Sequence, residues 1–125
     1  MSQKSLRVLA ADDDPTMVIL LQAVLQAPGF ELVVVSNGGD ALRVASAGAA
    51  FDLALLDVEM PEIDGLQVAE QLRRHFGERL CIVLLTGRED AVFVAAQQRL
   101  RAQHLPKPVD WTQLPQRLWQ WVDEG

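Results

Sequence analysis

Chemically capable side chains occur at four points along the chain; three directly follow short apolar runs, and the fourth follows a weaker strand signal at residues 103–105. These points are Asp12-Asp13-Asp14, Asp57, Thr86-Gly87 and Lys107-Pro108. If the apolar runs are parallel strands, their carboxyl ends share one edge of the sheet, which is where open α/β folds bind ligands. The pattern therefore predicts one crevice that holds several carboxylates, a hydroxyl group and an ammonium group.

This set of groups is suited to phosphoryl chemistry. Carboxylates held close together raise each other's pKa unless a cation lies among them, and Mg²⁺ prefers such oxygen ligands together with waters and a phosphate oxygen. A carboxylate such as Asp57 attacks an anionic phosphoryl group poorly, because like charges repel. The cation and Lys107 would offset that repulsion, and Thr86 could donate a hydrogen bond to a phosphoryl oxygen, with space beside it at Gly87.

Each residue alone also has a purely structural interpretation. The first two aspartates could lie in a solvated turn, and Asp14 is better explained as the N-cap of a helix that starts at Pro15. Asp57 could end a strand in a turn, because clear loop signals follow it. Thr86 could belong to the N-cap region of the next helix, and Lys107 could be a surface lysine. Only the combination at four strand ends favours the chemical interpretation.

The elements that must position these residues follow from the alternation of apolar runs with amphipathic segments. The runs predict strands at residues 6–11, 32–35, 51–56 and 80–85, with a weaker signal at 103–105. The segments between them predict helices at residues 15–26, 39–47, 66–75, 89–101 and 111–122. Regular β-then-α alternation predicts an α/β fold with a parallel sheet and helices on both faces.

The last helix leaves two points open. Pro115 would interrupt a helix capped by Asp110, so the helix could instead begin at Pro115. Trp119 and Trp121 are two residues apart and cannot share one helix face. We therefore expect one of them to be exposed, either as a contact surface or simply lying over the helix.

Size and composition bound the class of protein. The chain has 125 residues, half of them apolar, which is enough for one domain over residues 1–125 without disulfides or a structural metal. The net charge of −6 makes nucleic acid and membranes unexpected as direct partners. The single cysteine, Cys81, is expected to be a buried, unreactive thiol. With no signal-peptide core and no membrane-length apolar run, we expect a cytoplasmic location.

Four motifs make the chain similar to a response-regulator receiver domain of two-component signalling. They are LRVLAADDD at residues 6–14, DVEMPEIDG at 57–65, LLTG at 84–87 and LPKP at 105–108. The second motif, an aspartate followed by Met-Pro and Asp-Gly at fixed spacing, is highly specific. The resemblance covers nearly the whole chain and implies a flavodoxin-like, doubly wound sheet of five parallel strands in the order 2-1-3-4-5 with five helices.

The resemblance also implies the phosphoacceptor and the metal. Asp57 would be phosphorylated by a histidine kinase or a histidine phosphotransfer protein. Asp12, Asp13, Asp57 and the backbone carbonyl of Glu59 would hold Mg²⁺. Beyond its own self-catalysed phosphorylation and dephosphorylation, such a domain is not expected to be an enzyme.

Further roles follow from the same resemblance. Thr86 would bind the phosphoryl group and move inward with it, and Lys107 would pair with the phosphoryl oxygens, with a cis Lys107–Pro108 bond. The switched surface would lie around the fourth helix, fifth strand and fifth helix. Its partner would be a downstream output protein, a fused output domain or a second copy of the chain in a homodimer.

Two departures from the family pattern concern the switch. His104 stands where receivers usually have Tyr or Phe as the rotameric switch coupled to Thr86, and a histidine ring is smaller and titrates near neutral pH. The usual Gly-Ala before the last strand is missing, because residues 100–103 read Leu-Arg-Ala-Gln. The span from Thr86 to Lys107 is also one residue shorter than usual. We therefore expect altered coupling and a remodelled exit from the fourth helix.

Glu59 is the third departure. It stands two residues after Asp57, where side chains flank the phosphoryl group in receivers, so we expect it to alter the dephosphorylation rate, with the direction open. Two other functions remain as alternatives. One is a pseudo-receiver that binds partners without phosphate. The other is a haloacid-dehalogenase-like phosphatase, although that family has aspartate at the position of Glu59 and needs a cap that this chain is too short to hold.

Overall fold

Nearly continuous apolar runs form the strands, as expected for a sheet that is covered on both faces. The computed structural model describes residues 5–124. Its strands are β1 (Leu6–Ala11), β2 (Phe30–Val35), β3 (Leu53–Asp57), β4 (Cys81–Thr86) and β5 (Gln103–Pro106). Its α-helices are α1 (Pro15–Val24), α2 (Gly38–Ser46), α3 (Gly65–Phe76), α4 (Ala91–Leu100) and α5 (Leu114–Glu124), and a short 3₁₀-helix (Gly77–Arg79) follows α3.

The five strands form one parallel sheet in the order β2-β1-β3-β4-β5. This order confirms the predicted flavodoxin-like topology. Because β1, β3, β4 and β5 are consecutive neighbours, their carboxyl ends form one continuous edge. The predicted chemical residues all follow or end these four strands.

The sheet separates two apolar layers, since successive residues of a strand point to opposite faces. One layer packs against α2, α3 and α4 and includes Leu9, Leu56, Ile82 and Leu84. The other packs against α1 and α5 and includes Val8, Leu55, Val83 and Leu85. With both faces buried, the strands are held rigidly enough to fix the positions of the side chains at their ends.

Local capping chemistry sets the helix starts. Asp14 caps α1 as predicted, because its carboxylate accepts a hydrogen bond from the backbone N–H of Thr16 at 2.9 Å and Pro15 follows it. Helix α4 starts at Ala91, two residues later than predicted, because Asp90 is its N-cap. Helix α5 starts at Leu114 with Pro115 in its first turn, which confirms the second of the two predicted starts.

The exit from α4 is unusual. Arg101 has a φ of 54°, the left-handed conformation that glycine often adopts at a helix end. Its guanidinium pairs with Glu78, and the backbone N–H of Ala102 donates to the carbonyl of Gln97 at 3.0 Å. The missing glycine is therefore accommodated by a strained arginine rather than by a longer loop.

Neither tryptophan of α5 named in the sequence prediction is exposed. Trp119 is half-buried, with its ring centroid 6.2 Å from that of Phe30, and Trp121 is buried. The expectation of an exposed tryptophan was wrong, because the ring of Trp119 packs onto the end of the α1-side layer.

Cys81 is half-buried, and burial raises its pKa to about 11, which keeps the thiol protonated. Among residues 5–124, no helix combines the length and the apolar character needed to cross a bilayer.

Candidate functional site

The acidic cluster is formed by the ends of two neighbouring strands. Ala11 of β1 is paired with Leu56 of β3, so the residues that follow, Asp12 and Asp57, come to lie side by side. Both side chains are buried, at 1% and 2% exposure, whereas Asp13 is exposed. One carboxylate oxygen from each of the three lies within 4.8 Å of the other two. The structure thus brings together the three predicted metal-ligating side chains.

One oxygen of this cluster lacks a partner. Oδ1 of Asp12 accepts a hydrogen bond from the backbone N–H of Asp14 at 3.0 Å. Oδ2 of Asp12 is the one buried side-chain nitrogen or oxygen within residues 5–124 that has no hydrogen-bond partner. Leaving a buried carboxylate oxygen without a partner is costly, and a cation would remove that cost. An all-oxygen donor set of this kind fits Mg²⁺.

Lys107 reaches the cluster from the end of β5. Its Nζ donates to Oδ1 of Asp57 at 3.1 Å, and its side chain remains 35% exposed. Its backbone N–H donates to the carbonyl of Thr86 at 3.3 Å, which ties the loop after β5 to the end of β4. The Lys107–Pro108 peptide bond is cis, as the resemblance implied.

Burial raises the pKa of both inner carboxyls, and Lys107 opposes that rise in each. Burial raises the pKa of Asp57 to about 6; the hydrogen bond from Lys107 opposes this rise, and the charge of Asp12 adds to it. Burial likewise raises the pKa of Asp12, although the N–H of Asp14 opposes that rise. In the metal-free protein, both carboxyls therefore keep their protons to a higher pH than ordinary aspartates do.

The loop after β3 is held close to the phosphoacceptor candidate. The backbone N–H of Glu59 donates to Oδ1 of Asp57 at 3.3 Å, and the N–H of Gly65 donates to the carbonyl of Val58 at 3.1 Å. A Cβ at Gly65 would lie 2.3 Å from the carbonyl oxygen of Asp57. Only glycine fits this close approach of α3 to the end of β3, which explains the Asp-Gly pair of the second motif.

Thr86 is fully buried, and its hydroxyl is already engaged. It donates to Oε1 of Glu59 at 2.7 Å and accepts from the backbone N–H of Arg88 at 3.1 Å. The alternative interpretation of Thr86 as a helix cap was wrong, because Asp90 caps α4. The contact between the Thr86 hydroxyl and the Glu59 carboxylate was not predicted, since residue types and spacing carry no signal for the rotamers that make it.

His104 contacts the main chain of Thr86. Its Nε2 lies 2.9 Å from the carbonyl oxygen of Thr86. A carbonyl oxygen only accepts, so Nε2 must carry the proton. The ring also packs edge-on against Phe93, with centroids 4.9 Å apart. His104 is thus half-buried, and it donates a hydrogen bond to the carbonyl of Thr86, the residue with which it was expected to couple.

Sequence comparison supplies independent evidence on the family. Residues 8–119 match the family described as response regulator receiver domain. The sensor protein GacS of Pseudomonas syringae pv. syringae is 36% identical over 131 residues, which cover 98% of this chain and 14% of that protein. The DNA-binding response regulator MtrA of Mycolicibacterium smegmatis is 39% identical over 88 residues, which cover 70% of this chain and 37% of that protein. The chain thus spans less than half the length of these curated relatives.

Solved structures agree with the sequence match. The chemotaxis protein CheY4 of Vibrio cholerae superposes with a TM-score of 0.83 at 26% identity, covering 94% of this chain and 98% of that one. A CheY-like receiver domain protein from Methanospirillum hungatei shares the fold, with a TM-score of 0.87 at 22% identity over 97% of this chain and 96% of that one. With a family match over most of its length and the fold expected of that family, the chain belongs to the response regulator receiver domains of two-component signalling.

Proposed function

We propose that this chain accepts a phosphoryl group on Asp57 from the phosphohistidine of a histidine kinase or a histidine phosphotransfer protein. A carboxylate oxygen of Asp57 attacks the phosphorus, and the bond from phosphorus to the donor's imidazole nitrogen breaks. The electron pair of that bond stays on the imidazole, and the product is an acyl phosphate at Asp57. The observation that carries this proposal is the ion pair between Lys107 and Asp57 within the cluster of Asp12, Asp13 and Asp57.

Mg²⁺ is the cofactor that this donor set favours. Asp12, Asp13, Asp57 and the backbone carbonyl of Glu59 would hold it, and it would supply positive charge against the phosphoryl oxygens. The unpartnered Oδ2 of Asp12 supports this assignment, because that atom otherwise stays buried without a bond. These residues also repel each other less when a cation lies among them.

Lys107 and Thr86 act on the phosphoryl group after transfer. The ammonium group of Lys107 is placed beside Oδ1 of Asp57 and offsets the added negative charge. Thr86 donates its hydroxyl proton to a phosphoryl oxygen, and His104, which is bonded to the Thr86 carbonyl, responds to its movement. The movement of Thr86 is thereby passed to β5, at the centre of the surface proposed to bind partners.

The output is a change in the surface made by α4, β5 and α5. On α4, Val92 is 72% exposed and Val94 is also exposed, so this surface has apolar side chains available for a partner. The partner is a downstream output protein, a fused output domain or a second copy of the chain. No reaction beyond the phosphorylation and dephosphorylation of Asp57 is proposed.

Intact-mass measurement tests the proposal. Acetyl phosphate with Mg²⁺ should add one phosphoryl group to the wild type and none to Asp57→Asn, and chelation of the metal should prevent the addition. Asp123→Asn is the matched control, because Asp123 is an exposed aspartate on α5 and should leave the addition unchanged. If the wild type gains no mass, or if Asp57→Asn gains as much, the chain would instead be a pseudo-receiver that takes no phosphate at this site.

A further inference from the structure

The hydroxyl proton of Thr86 is already engaged in a hydrogen bond in this structure. A hydroxyl group has one proton to donate, and that of Thr86 is donated to Oε1 of Glu59 at 2.7 Å. Its lone pair accepts from the backbone N–H of Arg88 at 3.1 Å. Any new acceptor for the hydroxyl proton must therefore displace the carboxylate of Glu59.

The bond between Thr86 and Glu59 is of the strong kind. A hydrogen bond from a hydroxyl to a carboxylate is short and about twice as strong as one between neutral groups. Thr86 is fully buried, so its hydroxyl has no exposed surface on which to exchange this bond for one with bulk water. The nearby guanidinium of Arg88 is bonded twice to Asp90, at 2.9 and 3.1 Å. Within residues 5–124, no arginine or lysine forms an ion pair with Glu59 in place of the hydroxyl.

The main chain keeps Glu59 at this place. Its backbone N–H donates to Oδ1 of Asp57 at 3.3 Å, and the adjacent Val58 donates its N–H to the carbonyl of Leu85 at 3.0 Å, one residue before Thr86. The carboxylate of Glu59 is thus carried by a loop that is bonded both to the phosphoacceptor and to the end of β4. The competition for the hydroxyl proton takes place beside the site of phosphorylation.

We propose that Glu59 is a positioning residue that holds the Thr86 hydroxyl away from the phosphoryl group and so favours the unphosphorylated conformation. This inference rests on the proposed function, because the phosphoryl group is the rival acceptor. The single proton of Thr86 goes either to Glu59 or to a phosphoryl oxygen. Removing the Glu59 carboxylate frees the hydroxyl and strengthens the binding of a phosphoryl group, or its mimic, at Asp57.

Two effects of Glu59 have to be separated. Its negative charge could oppose the phosphoryl group directly, or its carboxylate could act by occupying the hydroxyl of Thr86. Thr86→Val removes the hydroxyl and keeps the shape of the buried side chain, so only the second effect disappears in that background. Thr86→Ser keeps a hydroxyl and tests whether the effect returns with the donor group.

The experiment is a double-mutant cycle read out by binding of beryllofluoride in excess Mg²⁺, measured by calorimetry. Glu59→Ala should tighten binding about tenfold, as expected for releasing one charge-assisted hydrogen bond. In the Thr86→Val background the same change should alter affinity less than about twofold, and in Thr86→Ser the tightening should return. Glu89→Ala removes an equal charge from the neighbouring loop and should shift affinity less than about twofold.

The outcomes distinguish this inference from the function on which it rests. If wild type and Glu59→Ala bind the mimic equally, or if Glu59→Ala binds it more weakly, Glu59 does not hold Thr86 back. If Glu59→Ala tightens binding of the mimic equally with and without the Thr86 hydroxyl, Glu59 acts by charge repulsion, and the inference is overturned. If the wild type neither binds the mimic nor gains a phosphoryl group, the proposed function fails and the inference fails with it.

Discussion

At the scale of single residues, the buried carboxylates of the site repel each other and are poorly solvated when no cation lies among them. Asp12 and Asp57 are buried next to each other, and one lysine ammonium, itself partly exposed, is bonded to only one of them. Burial raises the pKa of Asp57 from the ordinary range of an aspartate to about 6. The same carboxyl has an ordinary pKa in the unfolded chain. At a pH between these two pKa values, the folded metal-free protein therefore keeps a proton on Asp57 that the unfolded chain has released.

This difference predicts how stability depends on pH without metal. The native state binds more protons than the unfolded state between about pH 4 and pH 6, so the free energy of unfolding falls as the pH rises through that window. Above the pKa of Asp57 in the folded protein, the whole loss of stability that comes from ionising this carboxyl is present. Asp57→Asn removes the ionisable group, and at pH 7 with a chelator it should be more stable than the wild type by about 2 to 3 kcal/mol.

Urea unfolding at pH 7, 6 and 5 checks this prediction, and the advantage of Asp57→Asn should shrink as the pH falls. Added Mg²⁺ should stabilise the wild type more than Asp57→Asn, since the wild type offers the additional carboxylate. If the two proteins have the same stability at every pH in the chelator, the carboxyl of Asp57 titrates normally and the electrostatic account of the site is wrong.

At the scale of elements, the close approach of α3 to the end of β3 positions the loop that carries Glu59. The helix start is held by a reciprocal capping box, in which Asp64 and Gln67 each accept a backbone N–H of the other at 2.9 Å. Gly65 lies immediately inside this start, against the carbonyl of Asp57. A side chain there would push the helix away from Asp57.

Gly65→Ala is therefore expected to destabilise the fold. Its Cβ would lie 2.3 Å from the carbonyl oxygen of Asp57, so either the helix or the strand end must move, at a cost of about 2 kcal/mol or more. Gly39→Ala in α2 is the matched control. There the nearest atom to the new Cβ is 3.5 Å away, and alanine should add about 0.5 to 1 kcal/mol through its higher helix propensity.

Urea unfolding of the two variants measures the contrast. A loss of stability for both, or for neither, would show that the contact between Gly65 and Asp57 does not constrain the loop.

The elements were predictable where one local signal decided them. The strands were predicted within a few residues, because runs buried on both faces carry continuous apolar sequence, and Asp14-Pro15 marked the start of α1. The left-handed conformation of Arg101 was not predictable, because arginine carries no signal for it and the neighbouring ion pair with Glu78 comes from tertiary structure. The bond between Glu59 and Thr86 escaped prediction for the same reason, since it depends on the rotamers of side chains 27 residues apart.

At the scale of the whole molecule, one arginine joins the ends of three elements on the edge of the sheet opposite the acidic cluster. The guanidinium of Arg73 donates to the carbonyls of Gly77, Leu80 and Leu100, which belong to the end of α3, the entry to β4 and the end of α4. Burial lowers the pKa of Arg73, and the nearby Glu78 opposes that effect. The guanidinium thus serves mainly as a set of directed donors to backbone carbonyls.

Replacing this donor should loosen the packing between α3 and α4. Arg73→Met keeps the apolar stem but leaves partly buried carbonyls without partners, and it should lower the free energy of unfolding by about 2 to 3 kcal/mol. Arg74→Met is the control, because Arg74 is exposed, and it should change stability by less than about 0.5 kcal/mol. Equal unfolding midpoints for the two variants in urea would contradict a structural role for Arg73.

The chain spans 14% of the GacS sensor protein and 37% of the MtrA regulator. In the proposed function, its output depends on a partner that binds the surface of α4, β5 and α5. Thr86 and His104 connect β5 of that surface to the strand end beside the acidic cluster, because Nε2 of His104 lies 2.9 Å from the carbonyl oxygen of Thr86. The proposed phosphorylation at Asp57 and the proposed partner contacts would therefore be coupled through these packed elements.

The most direct test is to locate the phosphoryl group. The protein is phosphorylated with acetyl phosphate and Mg²⁺ and then reduced with borohydride, which converts an aspartyl phosphate to homoserine, and its peptides are sequenced by mass spectrometry. Homoserine is expected at position 57 and at no other aspartate, and none should form when the metal is chelated. Homoserine at another aspartate, or unmodified Asp57 after a reaction that did add a phosphoryl group, would contradict this expectation.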